Sequence, residues 1–142
     1  MSDAKNIFVL GGASSGKSSF ALSLAEPLSP SSPSGARGRL YIATAVANDV
    51  EMAERIAAHK DERAGFGWET VEEPVKVAEA INSNFTMGEA GGGVILIDCL
   101  TLWLANIVEA GCTDKEIRGE TERLIEAIMN SPAAVVTVSN EL

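Results

Sequence analysis

Residues 11–18, reading GGASSGKS, constrain the fold of this chain most, because they fit the phosphate-binding pattern G-x-x-x-x-G-K-[ST]. The short apolar run IFVL precedes the motif, and a helix-compatible segment follows it, which is the strand–loop–helix context that such a loop requires. Glycines let consecutive backbone amides face one phosphate, and the start of the following helix adds a positive end. That context favours a nucleotide site over a chance Gly/Ser turn. The predicted phosphate-binding residues are Gly11, Gly12, Ala13, Ser14, Ser15, Gly16, Lys17 and Ser18.

Apolar runs alternate with helical patterns along the rest of the chain. The predicted strands are 6–10, 40–43, 94–98 and 133–139, and the predicted helices are 18–26, 49–63, 75–82, 100–110 and 114–130. This alternation, together with the loop motif, predicts an α/β fold similar to P-loop NTPases, with a mainly parallel sheet and helices on both faces. We expect a single nucleotide-binding domain over residues 1–142, in which the Ser/Pro/Gly-rich segment 27–38 is a flexible loop.

Local signals refine this assignment. Asn48 with Glu51 and Thr113 with Glu116 are spaced as capping boxes at the starts of two helices. Residues 68–74 are predicted to form a short edge strand that turns into the next helix. An acidic side chain there would contact a guanine or ribose, or would simply face solvent, and composition does not decide between these.

Asp98 follows four apolar residues at the end of the predicted strand 94–98. A carboxylate at the C-terminal end of a parallel strand faces the crevice in which ligands bind, and there it can hold magnesium. With Ser18, whose hydroxyl would complete the magnesium shell, Asp98 is the predicted metal ligand. The alternative is that Asp98 only caps the helix that starts near Leu100.

His59 is the only histidine of the chain. It shares one predicted helical face with Met52, Ile56 and Arg63, since these residues recur at spacings of four, three and four. A neutral imidazole can attack phosphorus and divide one transfer into two easier steps. On periodicity alone, a half-buried helix histidine without catalytic function is the favoured interpretation.

Composition excludes some classes of function. The net charge of −9 disfavours nonspecific nucleic-acid binding, which needs a basic surface. No apolar run approaches the length of a membrane span, and we expect no signal peptide. The two cysteines lack metal-type or redox-type spacing, which favours a reducing, cytoplasmic location, with Cys99 buried at a strand end.

The chain resembles the bifunctional adenosylcobinamide kinase / adenosylcobinamide-phosphate guanylyltransferase family of cobalamin biosynthesis. The matching segments, in family order, are FVLGGASSGKS, YIATA, NDVEMAERIAAHKDER, WETVEEP, ILIDCLTLWLAN and VVTVSNE. The histidine helix and the DCLTLWLAN segment are the most specific of these, because general nucleotide binding does not require them.

This resemblance implies two reactions and reverses the interpretation of His59. The family phosphorylates adenosylcobinamide with ATP or GTP, and then transfers GMP from GTP to the corrinoid phosphate through a guanylylated histidine, here His59. Lys17 would act at the outer phosphates as a second catalytic residue, with Mg²⁺ as cofactor. The remaining nucleotide-binding residues implied by the resemblance are Thr44, Ala45, Val46, Lys60, Asp61, Glu62, Arg63, Glu72 and Asp98. The resemblance also implies a corrinoid substrate and a homo-oligomer, in particular a trimer.

The chain departs from the family pattern at several positions. Ser14, Ser19 and Leu22 stand where the family often carries arginine, arginine and glutamate, and Ala64 stands where proline is common. The family continues after the S-N-E motif with further elements, so we expect either a longer protein or a partner that covers the last predicted strand. Two other functions remain open: a different P-loop small-molecule kinase, and a non-catalytic nucleotide-binding module.

Overall fold

The computed structural model describes residues 6–11, 17–28, 38–84 and 93–140, and for Lys17, Asn84 and Asn140 the backbone alone. Five parallel strands form one sheet in the order β1-β5-β4-β2-β3. The strands are β1 Asn6–Gly11, β2 Arg39–Ala43, β3 Glu69–Glu72, β4 Val94–Asp98 and β5 Ala134–Asn140. The helices are α1 Lys17–Ala25, α2 Val50–Ala64, α3 Val77–Asn84, α4 Leu100–Glu109 and α5 Asp114–Asn130, with a short 3-10 helix at Glu26–Leu28 after α1.

Helices cover both faces of this sheet. On one face α1 packs against a cluster that includes Tyr41, Leu96 and Val138. On the other face a second cluster joins the sheet to α3, α4 and α5 through residues such as Ile97 and Leu124. All four apolar residues of β4 are buried, as a strand covered on both sides requires. The predicted α/β fold with a parallel sheet is therefore confirmed.

The ends of the elements follow local hydrogen bonds. The predicted cap of Thr113 and Glu116 is confirmed, since each side chain bonds the backbone of the other residue. The predicted Asn48 cap is wrong: α2 begins after Asp49, whose carboxylate accepts from the Met52 amide at 2.7 Å. The helix predicted from residue 75 begins at Val77 instead.

The reason for that later start is Glu73. Its carboxylate accepts from the amides of Val75 and Lys76 at 3.1 and 2.9 Å, which caps the chain just before α3. The predicted edge strand is confirmed as β3, which pairs only with β2 in the described sheet. Most of the predicted loop 27–38 lies outside the described residues. Among the described helices, none is long and apolar enough to cross a membrane.

Candidate active site

Two elements meet at the carboxyl edge of the sheet. Ser18 lies in the first turn of α1, and Asp98 is the last residue of β4. The Ser18 hydroxyl donates to Oδ2 of Asp98 at 2.9 Å. Asp98 is not the N-cap residue of α4: that position is Cys99, whose side chain makes no capping hydrogen bond. The alternative interpretation of Asp98 as a helix cap is therefore wrong.

Asp98 has a second donor that the sequence did not predict. Tyr41 lies on β2 opposite Leu96 of β4, while Asp98 pairs with Ala43. Because side chains alternate along strands, Tyr41 and the Asp98 side chain share one face. The Tyr41 hydroxyl donates to the same Oδ2 that accepts from Ser18. Burial, and then the neighbouring Asp98 charge, raise the pKa of Tyr41 far above its usual range.

A cleft of about 330 Å³ opens over this pair. Its floor comes from α1, β2 and β4, and the start of α4 adds one residue to its wall. The facing wall is α2. The residues lining the cleft are Ser18, Ser19, Leu22, Tyr41, Ala43, Ala45, Ile56, His59, Glu62, Arg63, Asp98 and Leu102. The structure thus brings His59, Ser18 and Asp98 to one cavity.

His59 stands at the rim of this cleft. Ile56 and Arg63 are half-buried on the same side of α2, while the His59 side chain is exposed. Of the predicted common face, Ile56, His59 and Arg63 line the cavity and Met52 does not, and the expectation of a half-buried His59 is wrong. An exposed imidazole beside a polar cleft is accessible to a ligand, which a core histidine would not be.

Helix α2 is anchored lightly for an element that carries a candidate nucleophile. None of its 15 residues is buried. Arg63 makes one of its side-chain contacts, with the guanidinium carbon 3.6 Å from the centroid of the Tyr41 ring. Arg63 also donates to the Thr70 hydroxyl at 3.1 Å, and its buried Nε has no hydrogen-bond partner in the described part of the chain. Lys60 and Glu72 add an exposed ion pair at 3.6 Å.

The other predicted nucleotide-binding residues are spread around this cleft. Ala45 and Glu62 line it, whereas Val46 and Asp61 are exposed outside its lining. Lys60 and Glu72 are likewise absent from the lining and pair with each other.

Thr44 has a structural function. It is fully buried, and its hydroxyl accepts from the Cys99 amide and donates to the Cys99 carbonyl, both at 2.9 Å. The Asn106 side chain donates to the Thr44 carbonyl at 2.9 Å. These bonds join the ends of β2 and β4 at the base of the site. The predicted burial of Cys99 is confirmed.

Part of the predicted phosphate loop lies outside the described residues. Gly11 is the last residue of β1 and pairs with Asn140, and Ser18 is described above. Gly12, Ala13, Ser14, Ser15 and Gly16 are outside the described ranges, as is the side chain of Lys17. Their predicted contacts with phosphate stay predictions.

The donor set at Ser18 and Asp98 fits magnesium. A hydroxyl and a carboxylate are hard oxygen donors, and Mg²⁺ is commonly held by one or two protein groups together with substrate phosphates and water. The Ser18 hydroxyl lies 2.9 Å from the Asp98 carboxylate, so the two side chains are close enough to hold one ion. Within the described ranges, no cluster of three or more His, Cys, Asp or Glu residues is placed to hold a metal ion.

Tyr41 is the residue of this site that sequence reasoning missed. Within the apolar strand sequence RLYIA, a tyrosine has the appearance of a core residue, and 5% exposure agrees with that. The feature that could have identified Tyr41 is its position two residues before the end of a parallel strand. That strand lies next to the one that ends in Asp98. Strand order, which the sequence does not specify, was needed to use it.

Comparison with known proteins gives a consistent result over almost the whole chain. The sequence model of the family described as cobinamide kinase / cobinamide phosphate guanyltransferase matches residues 7–142. The chain is similar to the bifunctional adenosylcobalamin biosynthesis protein CobP of Pseudomonas aeruginosa, with 42% identity over 94% of this chain and 69% of the relative. It is also similar to the bifunctional adenosylcobalamin biosynthesis protein CobU of Escherichia coli, with 35% identity over 96% of this chain and 75% of the relative. The CobU protein of Salmonella typhimurium is 34% identical over the same shares.

Proposed function

The chain belongs to the cobinamide kinase / cobinamide phosphate guanyltransferase family, and we propose that the cleft between α1, β4 and α2 carries out both of its reactions. It is an enzyme of cobalamin biosynthesis, with a cobinamide as the corrinoid substrate and nucleoside triphosphates as donors. The observation that carries the assignment to this cleft is that His59 lines the same cavity as Ser18 and Asp98.

In the guanylyl-transfer reaction, His59 is the nucleophile. An imidazole nitrogen attacks the α-phosphorus of GTP, a nitrogen–phosphorus bond forms, and the bond to the β-phosphate oxygen breaks to release pyrophosphate. A phosphate oxygen of cobinamide phosphate then attacks the same phosphorus, which transfers GMP and restores the free histidine. The exposure of His59 supports this assignment, because both the triphosphate and the corrinoid phosphate must reach it from solvent.

In the kinase reaction, the substrate hydroxyl attacks the γ-phosphorus of ATP or GTP, and the nucleoside diphosphate leaves. Positioning and charge stabilisation dominate such transfers. Ser18 and Asp98 would hold Mg²⁺, which when bound neutralises charge on the phosphates. Lys17 and the amides of residues 11–18 would bind the phosphates, as the loop pattern predicts. Arg63 and Glu62, which line the cleft near His59, would contact the nucleotide.

The proposal includes the assembly of the protein and its location in the cell. A homo-oligomer, in particular a trimer, is compatible with the large apolar side chains that β1 exposes, Phe8 and Leu10. A cytoplasmic location is compatible with two free cysteines and with nucleotide substrates. Sedimentation equilibrium of the purified protein would measure the assembly directly.

The assignment of His59 is tested by the variant His59→Asn. We expect loss of guanylyl transfer with most phosphoryl transfer retained, because only the first reaction uses the imidazole as a covalent carrier. Incubation with GTP labelled at the α-phosphate should leave an acid-labile label on the wild-type protein and none on the variant. Formation of cobinamide phosphate from γ-labelled ATP measures the second activity.

Glu54→Gln is the matched control, since Glu54 is exposed on the same helix and does not line the cleft. It should keep both activities. Equal loss of both activities in His59→Asn would contradict a covalent role and indicate that the histidine is structural.

A further inference from the structure

Tyr41 connects the two halves of the candidate site, and it is assigned no function by the motifs described above. Its hydroxyl donates to Oδ2 of Asp98, the oxygen that also accepts from Ser18. Within the described residues no hydrogen bond reaches Oδ1 of Asp98. The phenol therefore fixes one carboxylate oxygen in place while the other stays available to a ligand.

The tyrosine is itself held rigidly. It is 5% exposed, and its ring contacts Trp68 edge to face, with centroids 6.3 Å apart and planes at 88°. The Trp68 indole N–H donates to the Glu26 carboxylate at 3.1 Å, which connects this aromatic pair to the 3-10 helix that follows α1. A buried phenol between an aromatic ring and a carboxylate has few rotamers to choose from, so its hydroxyl has a defined direction.

The face of the same ring holds Arg63. The guanidinium carbon lies 3.6 Å from the ring centroid, within the range of a cation–π contact. Arg63 lies one helical turn after His59 on α2, a helix without buried residues. The Tyr41 ring therefore supports the end of the helix that carries the candidate nucleophile.

We propose that Tyr41 is a positioning residue: its hydroxyl orients the Asp98 carboxylate for the metal–nucleotide complex, and its ring holds Arg63 and thereby the His59 helix. This inference rests on the function proposed above. Tyr41 acts through Asp98 and Arg63, and it does not itself touch the reacting atoms.

The two contacts can be separated by substitution. Tyr41→Phe removes the hydroxyl and keeps the ring, so Asp98 loses a donor while Arg63 keeps its support. Tyr41→Leu removes both. Thr70→Val is the matched control, because it removes the other contact of Arg63 and leaves the Asp98 hydroxyl donors in place.

The direct measurement is the binding of Mn²⁺ to the protein in the presence of a non-hydrolysable GTP analogue. The electron paramagnetic resonance signal of free Mn²⁺ reports how much metal remains unbound. We expect Tyr41→Phe to weaken Mn²⁺ binding about 10-fold, the lower end of the effect typical of groups that orient metal ligands. Affinity for the analogue in EDTA should not change, and Thr70→Val should bind Mn²⁺ as the wild type does. Melting temperatures of all variants show whether each is folded.

Activity gives a second, independent readout. Raising Mg²⁺ should restore guanylylation of Tyr41→Phe, because only metal affinity is reduced, but should not restore Tyr41→Leu, in which Arg63 has lost its support. Wild-type Mn²⁺ affinity in a folded Tyr41→Phe would overturn this inference alone. A wild-type protein that binds no Mn²⁺ with the analogue would overturn the proposed function as well.

Discussion

At the scale of single residues, the site depends on polar groups whose partners come from distant parts of the chain. Asp98 receives hydroxyls from α1 and β2, and Arg63 contacts both β2 and β3. The two hydroxyl donors to Asp98, Ser18 and Tyr41, are 80 and 57 residues away from it in the sequence. Spacing along the chain therefore identified Ser18, Asp98 and His59 as candidates but could not identify the tyrosine between them.

The ionisation of Tyr41 gives a prediction at this scale. Burial and the charge of Asp98 favour the neutral phenol and raise its pKa. The resulting stability is fully present below the ordinary tyrosine pKa of about 10 and is lost as the pH rises toward the raised value. Since the chain has one tyrosine, absorbance at 295 nm reports this group alone.

We expect tyrosinate absorbance to rise only together with alkaline unfolding, measured by far-ultraviolet circular dichroism. In Asp98→Asn the neighbouring charge is removed while burial remains, so the pKa should fall but stay above its usual range. An absorbance transition near the ordinary tyrosine pKa, with unchanged circular dichroism, would contradict the buried position of this phenol.

At the scale of elements, the sequence predicted which helices and strands are present more accurately than it predicted where each helix begins. Helix α5 matched from end to end because Thr113 and Glu116 both mark its start locally. Helix α3 did not, because the Glu73 carboxylate caps the chain before it, and a glutamate in that position is no recognised start signal. Asn48 and Asp49 are both good capping residues, and the backbone conformation at Asp49 decides between them.

The cap of α5 can be tested by Thr113→Ala. The Thr113 hydroxyl accepts from the Glu116 amide at 3.2 Å, and Glu116 accepts from the Thr113 amide at 2.8 Å. We expect a loss of about 1 kcal/mol in the free energy of unfolding, the usual cost of removing such a cap. The measurement is urea denaturation near pH 7.

The pH matters because the bonds from the Thr113 amide and hydroxyl hold the pKa of Glu116 below its usual range. A lowered carboxyl pKa stabilises the fold at neutral pH, and that contribution is lost as the pH falls through the lowered value. Thr121→Ala is the control: it lies within the same helix, and its hydroxyl bonds the Ile117 carbonyl, so alanine there should cost little. A similar loss in both variants would contradict a specific cap.

At the scale of the whole molecule, the sheet separates two apolar cores that must form together if the chain is one domain. The chain has two tryptophans, and the structure places one on each side of the sheet. Trp68 belongs to the core beneath α1, and Trp103 to the core beneath α3, α4 and α5. Strands β2, β4 and β5 contribute to both cores, so unfolding of one should expose the other.

This arrangement predicts a single cooperative transition. In Trp103→Phe the fluorescence reports only Trp68, and in Trp68→Phe it reports only Trp103. We expect each variant to be less stable than the wild type, because phenylalanine cannot donate the hydrogen bond that Trp68 makes to Glu26 or the one that Trp103 makes to Val75. Within each variant, however, the urea midpoint from fluorescence should coincide with the midpoint from far-ultraviolet circular dichroism, as two-state unfolding requires. Separate midpoints for the two probes would mean that one face of the sheet unfolds before the other. Unfolding of one face would also disrupt the cleft. Tyr41 in the cleft packs in the core beneath α1, whereas Leu102, which also lines the cleft, belongs to α4 on the opposite face of the sheet.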